Sequence, residues 1–175
     1  MQIKNNFKYI IFILLSFVIV NTNLKAEEFN ITAQEIIIDK ENEILIGKGL
    51  VQAVDKDGNI IYANKITYEK SKEFLIAEGN VKIEDNEGNI LETDKATYDK
   101  KNEKINTYKK TKLILKEGYE LKTKNIFYDF AKKIITSKQD SILYDSDGNV
   151  VETTMFEYQI QNSLYSSVGN IKIID

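Results

Sequence analysis

Five residue types are missing from this chain of 175 residues: cysteine, histidine, proline, tryptophan and arginine. Without cysteine, the chain has no disulfide framework and no thiol for lipid attachment. Without histidine or cysteine, the commonest nucleophiles, general bases and transition-metal ligands are excluded. Because all 24 basic residues are lysine, there is no guanidinium group to clamp a phosphate in bidentate fashion. The absence of proline suits long paired strands, since proline removes a hydrogen-bond donor from the ladder.

Charge and motifs exclude further classes of function. A formal net charge of −3 argues against nucleic acid as a partner. The sequence contains no glycine-rich phosphate loop and no G-x-S-x-G motif. Residues 55–59 (DKDGN) and 145–149 (DSDGN) resemble calcium loops, but their glycine is fourth instead of sixth, and the twelfth residues are Ile66 and Phe156. We therefore predict β-turns at both places, and no catalytic residue, metal site or cofactor.

The N-terminal residues have the pattern of a secretory signal peptide. Lys4 and Lys8 precede an apolar run over residues 9–20, and the small Ala26 marks a cleavage point. The run is shorter than the about 20 apolar residues of a membrane-spanning helix, although an uncleaved anchor is the alternative. We predict residues 1–26 to be a signal peptide and residues 27–175 to form one exported domain.

The rest of the chain is an internal repeat with a period of 30 residues. The first column of residues spaced by 30 consists of glycines: Gly58, Gly88, Gly118 and Gly148. The second consists of tyrosines: Tyr68, Tyr98, Tyr128 and Tyr158. A further set of glycines follows at 30 or a multiple of 30: Gly49, Gly79 and Gly169. The register holds without an insertion from about Ile31 to Ile173. A fixed period of this length is typical of repeat architectures, in which each unit buries its apolar face against its neighbours.

Each repeat reads as two extended arms with a corner between them. Residues 61 and 63 share one face of a strand, and so do residues 66 and 68, but the step from 63 to 66 is odd. This predicts a bulge or corner at Asn64–Lys65 and at the equivalent positions of the other repeats. The step from residue 75 to residue 83 stays in phase, so Gly79 is expected to bend its strand without reversing its faces. The predicted fold is all-β: a jelly roll, a flattened roll or a short solenoid of about five repeats with open strand edges.

Two of the inward columns consist of small residues, namely Ala63, Thr93, Thr123 and Thr153, and Ala77, Thr107, Ser137 and Ser167. One interpretation is a tight apex where large side chains do not fit, because protein interiors normally pack without voids. The other is a lengthwise cavity or groove with apolar walls. The residue pattern leaves both interpretations open.

Several phrases of the repeat resemble a known family. "ITAQEIIID", "IIYANKITYEKSKEFLIAEGNVKIED" and "ILETDKATYDKKNEKI" look like the OstA-like domain of lipopolysaccharide transport, found in the periplasmic bridge protein LptA and at the N-terminus of the outer-membrane assembly protein LptD. The resemblance covers essentially all of residues 27–175. It leaves two readings open, a stand-alone bridge protein and the N-terminal part of an assembly protein, because the chain stops inside its fifth repeat.

The resemblance implies a twisted, slightly open β-jelly roll without catalytic residues. The apolar groove of such a roll shields the acyl chains of lipopolysaccharide, and domains join end to end by edge-strand pairing with other transport proteins. It also implies a periplasmic protein associated with the outer membrane. The residues expected to line the groove are Ile36, Ile38, Ile61, Ile66, Tyr68, Leu91, Ala96, Tyr98, Leu121, Ile126, Tyr128, Val151, Phe156 and Tyr158. The tyrosines are expected to line its mouth, with rings inside and hydroxyls outside, and Lys100 is expected to point outward.

Three other interpretations compete with this one. A structural or adhesive extracellular β-solenoid would have a dry, filled core and no lipid. A carbohydrate enzyme would need converging acids, and Glu69, Asp99 and Asp129 form such a row, although solvated turns explain them more simply. The basic stretch over residues 108–116 (YKKTKLILK) would face lipid phosphates or a membrane surface, or else form a solvated strand face that discourages edge pairing.

Overall fold

The computed structural model describes residues 29–174, so the predicted signal peptide lies outside the described residues. The fifteen strands are β1 (Phe29–Thr32), β2 (Glu35–Asp39), β3 (Ile44–Asp55), β4 (Ile60–Glu69), β5 (Phe74–Glu84), β6 (Ile90–Asp99), β7 (Lys104–Ile114), β8 (Glu120–Thr123), β9 (Phe127–Asp129), β10 (Ile134–Ser137), β11 (Ser141–Tyr144), β12 (Val150–Thr153), β13 (Met155–Gln159), β14 (Leu164–Val168) and β15 (Lys172–Ile174). Two short 3₁₀ helices span Lys70–Lys72 and Ile160–Asn162. No helix within residues 29–174 is long and apolar enough to span a bilayer.

All fifteen strands belong to one open antiparallel sheet that is folded into two layers. The first layer contains β1, β8, β11, β12 and β15, and the second contains β2, β9, β10, β13 and β14. The long strands β3 to β7 contribute one half to each layer. The all-β fold class is confirmed. Because successive strands pair antiparallel, the sheet is a folded meander, and each 30-residue repeat is a hairpin of two bent strands.

The predicted corner at Asn64–Lys65 is confirmed. The pairing of β4 with β5 shifts register between Tyr62 and Lys65, and the same irregularity recurs in β3–β4, β5–β6 and β6–β7 pairing. After β7 the corner interrupts the strands altogether, so that each later arm is a strand of its own. These corners align along the molecule and form its crease, where the two layers meet.

Gly79 shows why glycine occupies the crease. Its φ is +78°, and a Cβ at this position would lie 2.7 Å from Nδ2 and 3.1 Å from Cβ of Asn64 on the neighbouring strand. Leu75, Ala77, Val81 and Ile83 are all buried on the same side, which confirms that the strand bends here without reversing its faces. The glycine therefore meets two demands at once, a left-handed backbone and close contact with the next strand.

Substitution of Gly79 by alanine is expected to destabilise the fold more than substitution of Gly148 by alanine. Both glycines have positive φ, so both substitutions incur a backbone strain of about 1–2 kcal/mol. Only Gly79 adds a steric conflict, since a Cβ at Gly148 would meet nothing within 4 Å. Urea unfolding followed by circular dichroism measures the difference. Equal losses for the two variants would show that the close approach to Asn64 is unimportant.

The turns at the strand ends repeat with the same period. The backbone N–H of Asp55 donates to Asn59 O at 3.0 Å, and one carboxylate oxygen of Asp55 accepts the N–H groups of Asp57 and Asn59, both at 2.9 Å. Residues 85–89 and 145–149 repeat this arrangement. The β-turns predicted at residues 55–59 and 145–149 are confirmed, because the aspartate serves to close the turn. In the part of the chain that the structure describes, no group of three or more acidic residues is placed to hold a metal ion.

Candidate functional site: the interior between the two layers

The inner faces of the two layers enclose one apolar core. Eleven of the predicted groove residues are buried there: Ile61, Ile66, Tyr68, Leu91, Ala96, Tyr98, Leu121, Ile126, Tyr128, Phe156 and Tyr158. Val151 is partly buried against the same core. The repeat pattern thus assigned these side chains to the correct face of the sheet, since residues two apart on each arm point the same way. Their contact with lipid remains a prediction.

Ile36 and Ile38 differ from the other predicted groove residues. They pair with Gly47 and Leu45 of β3, which places them on the interior face, but they are 45% and 62% exposed. The register agrees with the expected inward orientation of both residues, and their contact with lipid stays a prediction. They are exposed because, within residues 29–174, no strand lies beyond β2 to cover its inner face.

The opposite end of the sheet is also open and apolar. Ile173 pairs with Val151 on the interior side of the first layer and is 67% exposed. In the second layer, Leu164 and Val168 of the terminal strand β14 are 48% and 63% exposed, and their partners Gln159 and Met155 place them on the outer face. Each end of the described chain therefore presents unpaired strand edges together with bare aliphatic side chains, which folded proteins normally cover.

At the crease, the small columns form a chain of buried hydroxyl groups. The Thr107 hydroxyl lies 2.8 Å from that of Thr111, which is 3.2 Å from the Thr93 hydroxyl. The hydroxyls of Thr123 and Ser137 repeat the pattern at 2.9 Å. The hydroxyl groups of these columns therefore satisfy one another by hydrogen bonding at the crease.

Most of the interior is filled by side chains. Phe29 packs edge-on against Tyr68 and Tyr98, with ring centroids 5.1 and 5.9 Å apart, and Phe130 stacks on Tyr98 and Tyr128 at 5.7 and 3.9 Å. Two apolar cavities lie between the layers, one of about 30 Å³ near Ile105 and one of about 100 Å³ farther toward the C-terminus. Neither is large enough to take a whole acyl chain unless the layers part.

The layers approach each other again on the side opposite the crease. We call this the mouth, formed in the first layer by the turns at residues 55–59, 85–89, 115–119 and 145–149, and in the second by residues 69–73, 99–103, 129–133 and 159–163. Whether the interior is accessible depends on what holds the mouth together, because at the crease the chain itself joins the two layers.

Lys100 crosses the mouth, and the prediction that it points outward is wrong. Its Nζ donates to Asp57 Oδ2 at 2.9 Å, to Asp55 Oδ2 at 3.2 Å and to the Tyr98 hydroxyl at 3.1 Å, and its side chain is 10% exposed. Burial alone would lower the pKa of Lys100, but the hydrogen bonds with Asp57 and Tyr98 outweigh burial and raise it. The same bond lowers the pKa of Asp57. We call this arrangement the Lys100 bridge; both partners keep their charge at neutral pH.

The repeat position that Lys100 occupies is filled by different residue types in the other repeats along the mouth. The equivalent residues are Lys70, Phe130 and Ile160, and the last two pack against the core as apolar lids. A second ion pair, between Lys133 and Glu87 at 3.7 Å, also joins the layers. The sequence pattern missed Phe29, Phe130 and the Lys100 bridge, although the loss of lysine at residue 130 was a visible signal.

The hydroxyl groups of the tyrosine column (Tyr68, Tyr98, Tyr128 and Tyr158) lie at different depths below the mouth. The Tyr98 hydroxyl lies at the mouth beside Lys100, as predicted, while the Tyr68 hydroxyl is buried. Burial raises the pKa of Tyr128 and of Tyr158. The expected ring-inside, hydroxyl-outside arrangement therefore holds for Tyr98 and not for Tyr68.

The row of acids that an enzyme would need consists of Glu69, Asp99 and Asp129, and each of them bonds to a residue of its own turn in the second layer. Asp99 accepts hydrogen bonds from the backbone N–H and the side chain of Asn102 at 2.9 and 2.7 Å, which lower its pKa. Asp129 accepts the backbone N–H of Lys132 at 3.1 Å, and Glu69 pairs with Lys72. Each carboxylate is thus engaged within its own turn, although Asp129 is only 7% exposed and so is not a solvated turn residue.

The basic stretch over residues 108–116 lies partly along the outer side of the crease. Lys110 and Lys112 line a cavity of about 630 Å³ there, together with acidic Glu92 and Asp94. Lys112 pairs with Glu120 at 2.9 Å, and Glu120 also binds Lys122 at 2.8 Å. Because both signs of charge alternate, this surface is that of a solvated strand face.

Comparisons with known proteins give likenesses among solved structures alone. No family model and no curated protein matches the chain. Among solved structures, the chain is similar to the crystal structure of LptH from Pseudomonas aeruginosa, described as the LptA-homologous periplasmic component of the conserved lipopolysaccharide transport device. The alignment covers 84% of this chain and 94% of LptH, with 11% sequence identity and a TM-score of 0.35.

Proposed function

We propose that this protein is a non-enzymatic scaffold that carries lipopolysaccharide across the periplasm for outer-membrane assembly. The observation that carries the proposal is the apolar inner face, which extends to the last strands at both open ends, where Ile36, Ile38 and Ile173 are exposed. An unpaired edge with a bare apolar face is satisfied when another strand extends the sheet. End-to-end pairing with other transport proteins would therefore join their interiors into one continuous surface.

The chemistry of the interior suits the acyl part of such a cargo. The two inner faces offer aliphatic and aromatic side chains to a hydrocarbon chain, and each methylene buried contributes about 0.8 kcal/mol. The polar sugars would stay in water outside the mouth. The resemblance of the repeats to the OstA-like domain supports this cargo and association with the outer membrane, and the predicted signal peptide supports export to the periplasm.

Photocrosslinking at two adjacent residues tests the proposal. Tyr158 faces the interior and is 8% exposed, while its neighbour Glu157 faces outward. Each is replaced with p-benzoylphenylalanine in the exported chain of a Gram-negative cell, and captured lipopolysaccharide is detected with an antibody after illumination. We expect capture at residue 158 and background at residue 157, because only the interior contacts acyl chains.

A second function, a structural module with a dry core, is favoured by the filled aromatic interior around Phe29, Tyr98 and Phe130. It predicts that a folded, exported protein captures no lipid at residue 158. That result would overturn the transport proposal. Equal capture at residues 157 and 158 would point to adhesion of lipid on the outside and would also contradict it.

A further inference from the structure

We propose that the Lys100 bridge closes the N-terminal half of the mouth, so that an acyl chain enters between the layers through the C-terminal half. The entry site is the apolar cavity of about 100 Å³ beside Tyr158 and Tyr165. This inference rests on the proposed function and adds to it a defined entry site and a residue that restricts access.

The N-terminal half of the mouth is polar and cross-linked by charge. Lys100 joins β6 to the turn between β3 and β4, and Lys133 joins the next repeat to Glu87. Between them lies a cavity of about 330 Å³ whose lining includes Asp85, Glu103 and the same charged pairs. A hydrocarbon chain gains little in such surroundings, because entry would strip water from charged groups.

The interior beneath this half is also closed. Phe29 fills the space between the layers and contacts both Tyr68 and Tyr98, and Phe130 covers Tyr98 and Tyr128 from the next repeat. Lys100 itself lies over the Tyr98 ring, with Nζ 5.4 Å from the ring centroid. The bridge and the aromatic cluster share Tyr98, so opening one disturbs the other.

The C-terminal half of the mouth has the opposite character. Its cavity is lined mainly by apolar side chains, including Leu115 and Tyr119 of a first-layer turn and Leu143 and Phe156 of the inner faces. Within residues 29–174, no ion pair joins the layers beyond that of Lys133 with Glu87. Parting the layers at this half therefore breaks no charge pair and exposes mainly apolar surface, which an acyl chain would cover again.

Tyr165 supplies a polar contact in the same cavity. Among the described atoms, its hydroxyl is buried and has no hydrogen-bond partner. Burial raises the pKa of Tyr165 to about 12, so the hydroxyl keeps its proton at neutral pH and remains a donor. An oxygen near the polar end of an acyl chain, such as an ester carbonyl, is the acceptor this donor lacks. The ligand class is thus an amphiphile with acyl chains.

The experiment compares two buried tyrosines of the same column, Tyr68 in the N-terminal half and Tyr158 in the C-terminal half, each replaced with p-benzoylphenylalanine. Lipopolysaccharide capture is measured in the otherwise unchanged protein and in a Lys100→Met variant. We expect several-fold more capture at residue 158 than at residue 68, and a several-fold rise at residue 68 once Lys100 is replaced. Asp55 keeps the turn hydrogen bonds from Asn59 in this variant, so the fold should be retained.

Control variants distinguish an effect of breaking the Lys100 bridge from an effect of removing any nearby charge. Lys101→Met removes a neighbouring exposed lysine and should leave both capture levels unchanged, whereas Asp57→Asn should act like Lys100→Met through an exposed partner. Tyr165→Phe should reduce capture at residue 158 without lowering the unfolding midpoint. Equal capture at residues 68 and 158, or no response to either bridge variant, would overturn this inference and leave the transport proposal standing. Capture at neither residue would overturn both.

Discussion

Substitution of Leu75 by alanine is expected to lower the free energy of unfolding by about 2–5 kcal/mol. Leu75 is 1% exposed and lies on the inner face of the second layer, between Tyr68 of β4 and Tyr98 of β6 in the register. Removing its branched end takes apolar surface out of the core and leaves a cavity, because the neighbouring strands are held by their ladders and cannot collapse into the space.

Ile76 is the matched control for Leu75. It is adjacent in β5, has the same number of side-chain carbons and faces outward, where it is only partly buried. Ile76→Ala should cost about 1 kcal/mol or less, since solvent replaces most of what is lost. Chemical unfolding of both variants, followed by circular dichroism, gives the comparison. A loss at Ile76 as large as that at Leu75 would contradict the assignment of inner and outer faces.

Substitution of Thr107 by valine is expected to cost about 1–3 kcal/mol although the two side chains have almost the same shape. The Thr107 hydroxyl oxygen accepts the backbone N–H of Ile126 at 2.8 Å and contacts the Thr111 hydroxyl at 2.8 Å. Ile126 is 2% exposed, so its N–H would be left without a partner and without water. The loss is therefore one of buried hydrogen bonding and not of packing.

The hydroxyl chain at the crease can be tested at a single amide. In Thr107→Val, the amide proton of Ile126 should exchange with solvent faster than in the unchanged protein, and the unfolding midpoint should fall. Thr67→Val, the same change on the outer side of the second layer, should alter stability by no more than about 0.5 kcal/mol. If Thr107→Val proves neutral and Ile126 stays protected, the hydroxyl is dispensable to the crease.

The repeat allowed much of the fold to be predicted from the sequence. The odd step between residues 63 and 66 identified the corner, and the fourth-position glycine identified the turn at residues 55–59. Both are local consequences of backbone geometry, since residue alternation and positive φ act within a few positions of the chain. The same alternation assigned Ile66 and Tyr98 to the interior, where the structure places them.

Contacts between residues far apart in the chain could not be predicted in this way. Lys100 looked outward by alternation, yet it reaches Asp55 of another repeat across the mouth. Phe29 precedes the regular part of the repeat, so no column indicated that its ring fills the interior beside Tyr68. Alternation along a strand likewise gave no sign that the hydroxyl groups of Thr93, Thr107 and Thr111 meet at the crease.

The sequence by itself determined the period, the strands, their inner faces and the turns, because these depend on steric preferences repeated every 30 residues. Only the tertiary structure decided how far the layers close, which residues bridge the mouth and where the inner face is left bare. Those outcomes depend on where the sheet ends and on which charged and aromatic side chains meet across it. Exposure of Ile38 and burial of Lys100 are two results of the same folding of one sheet upon itself.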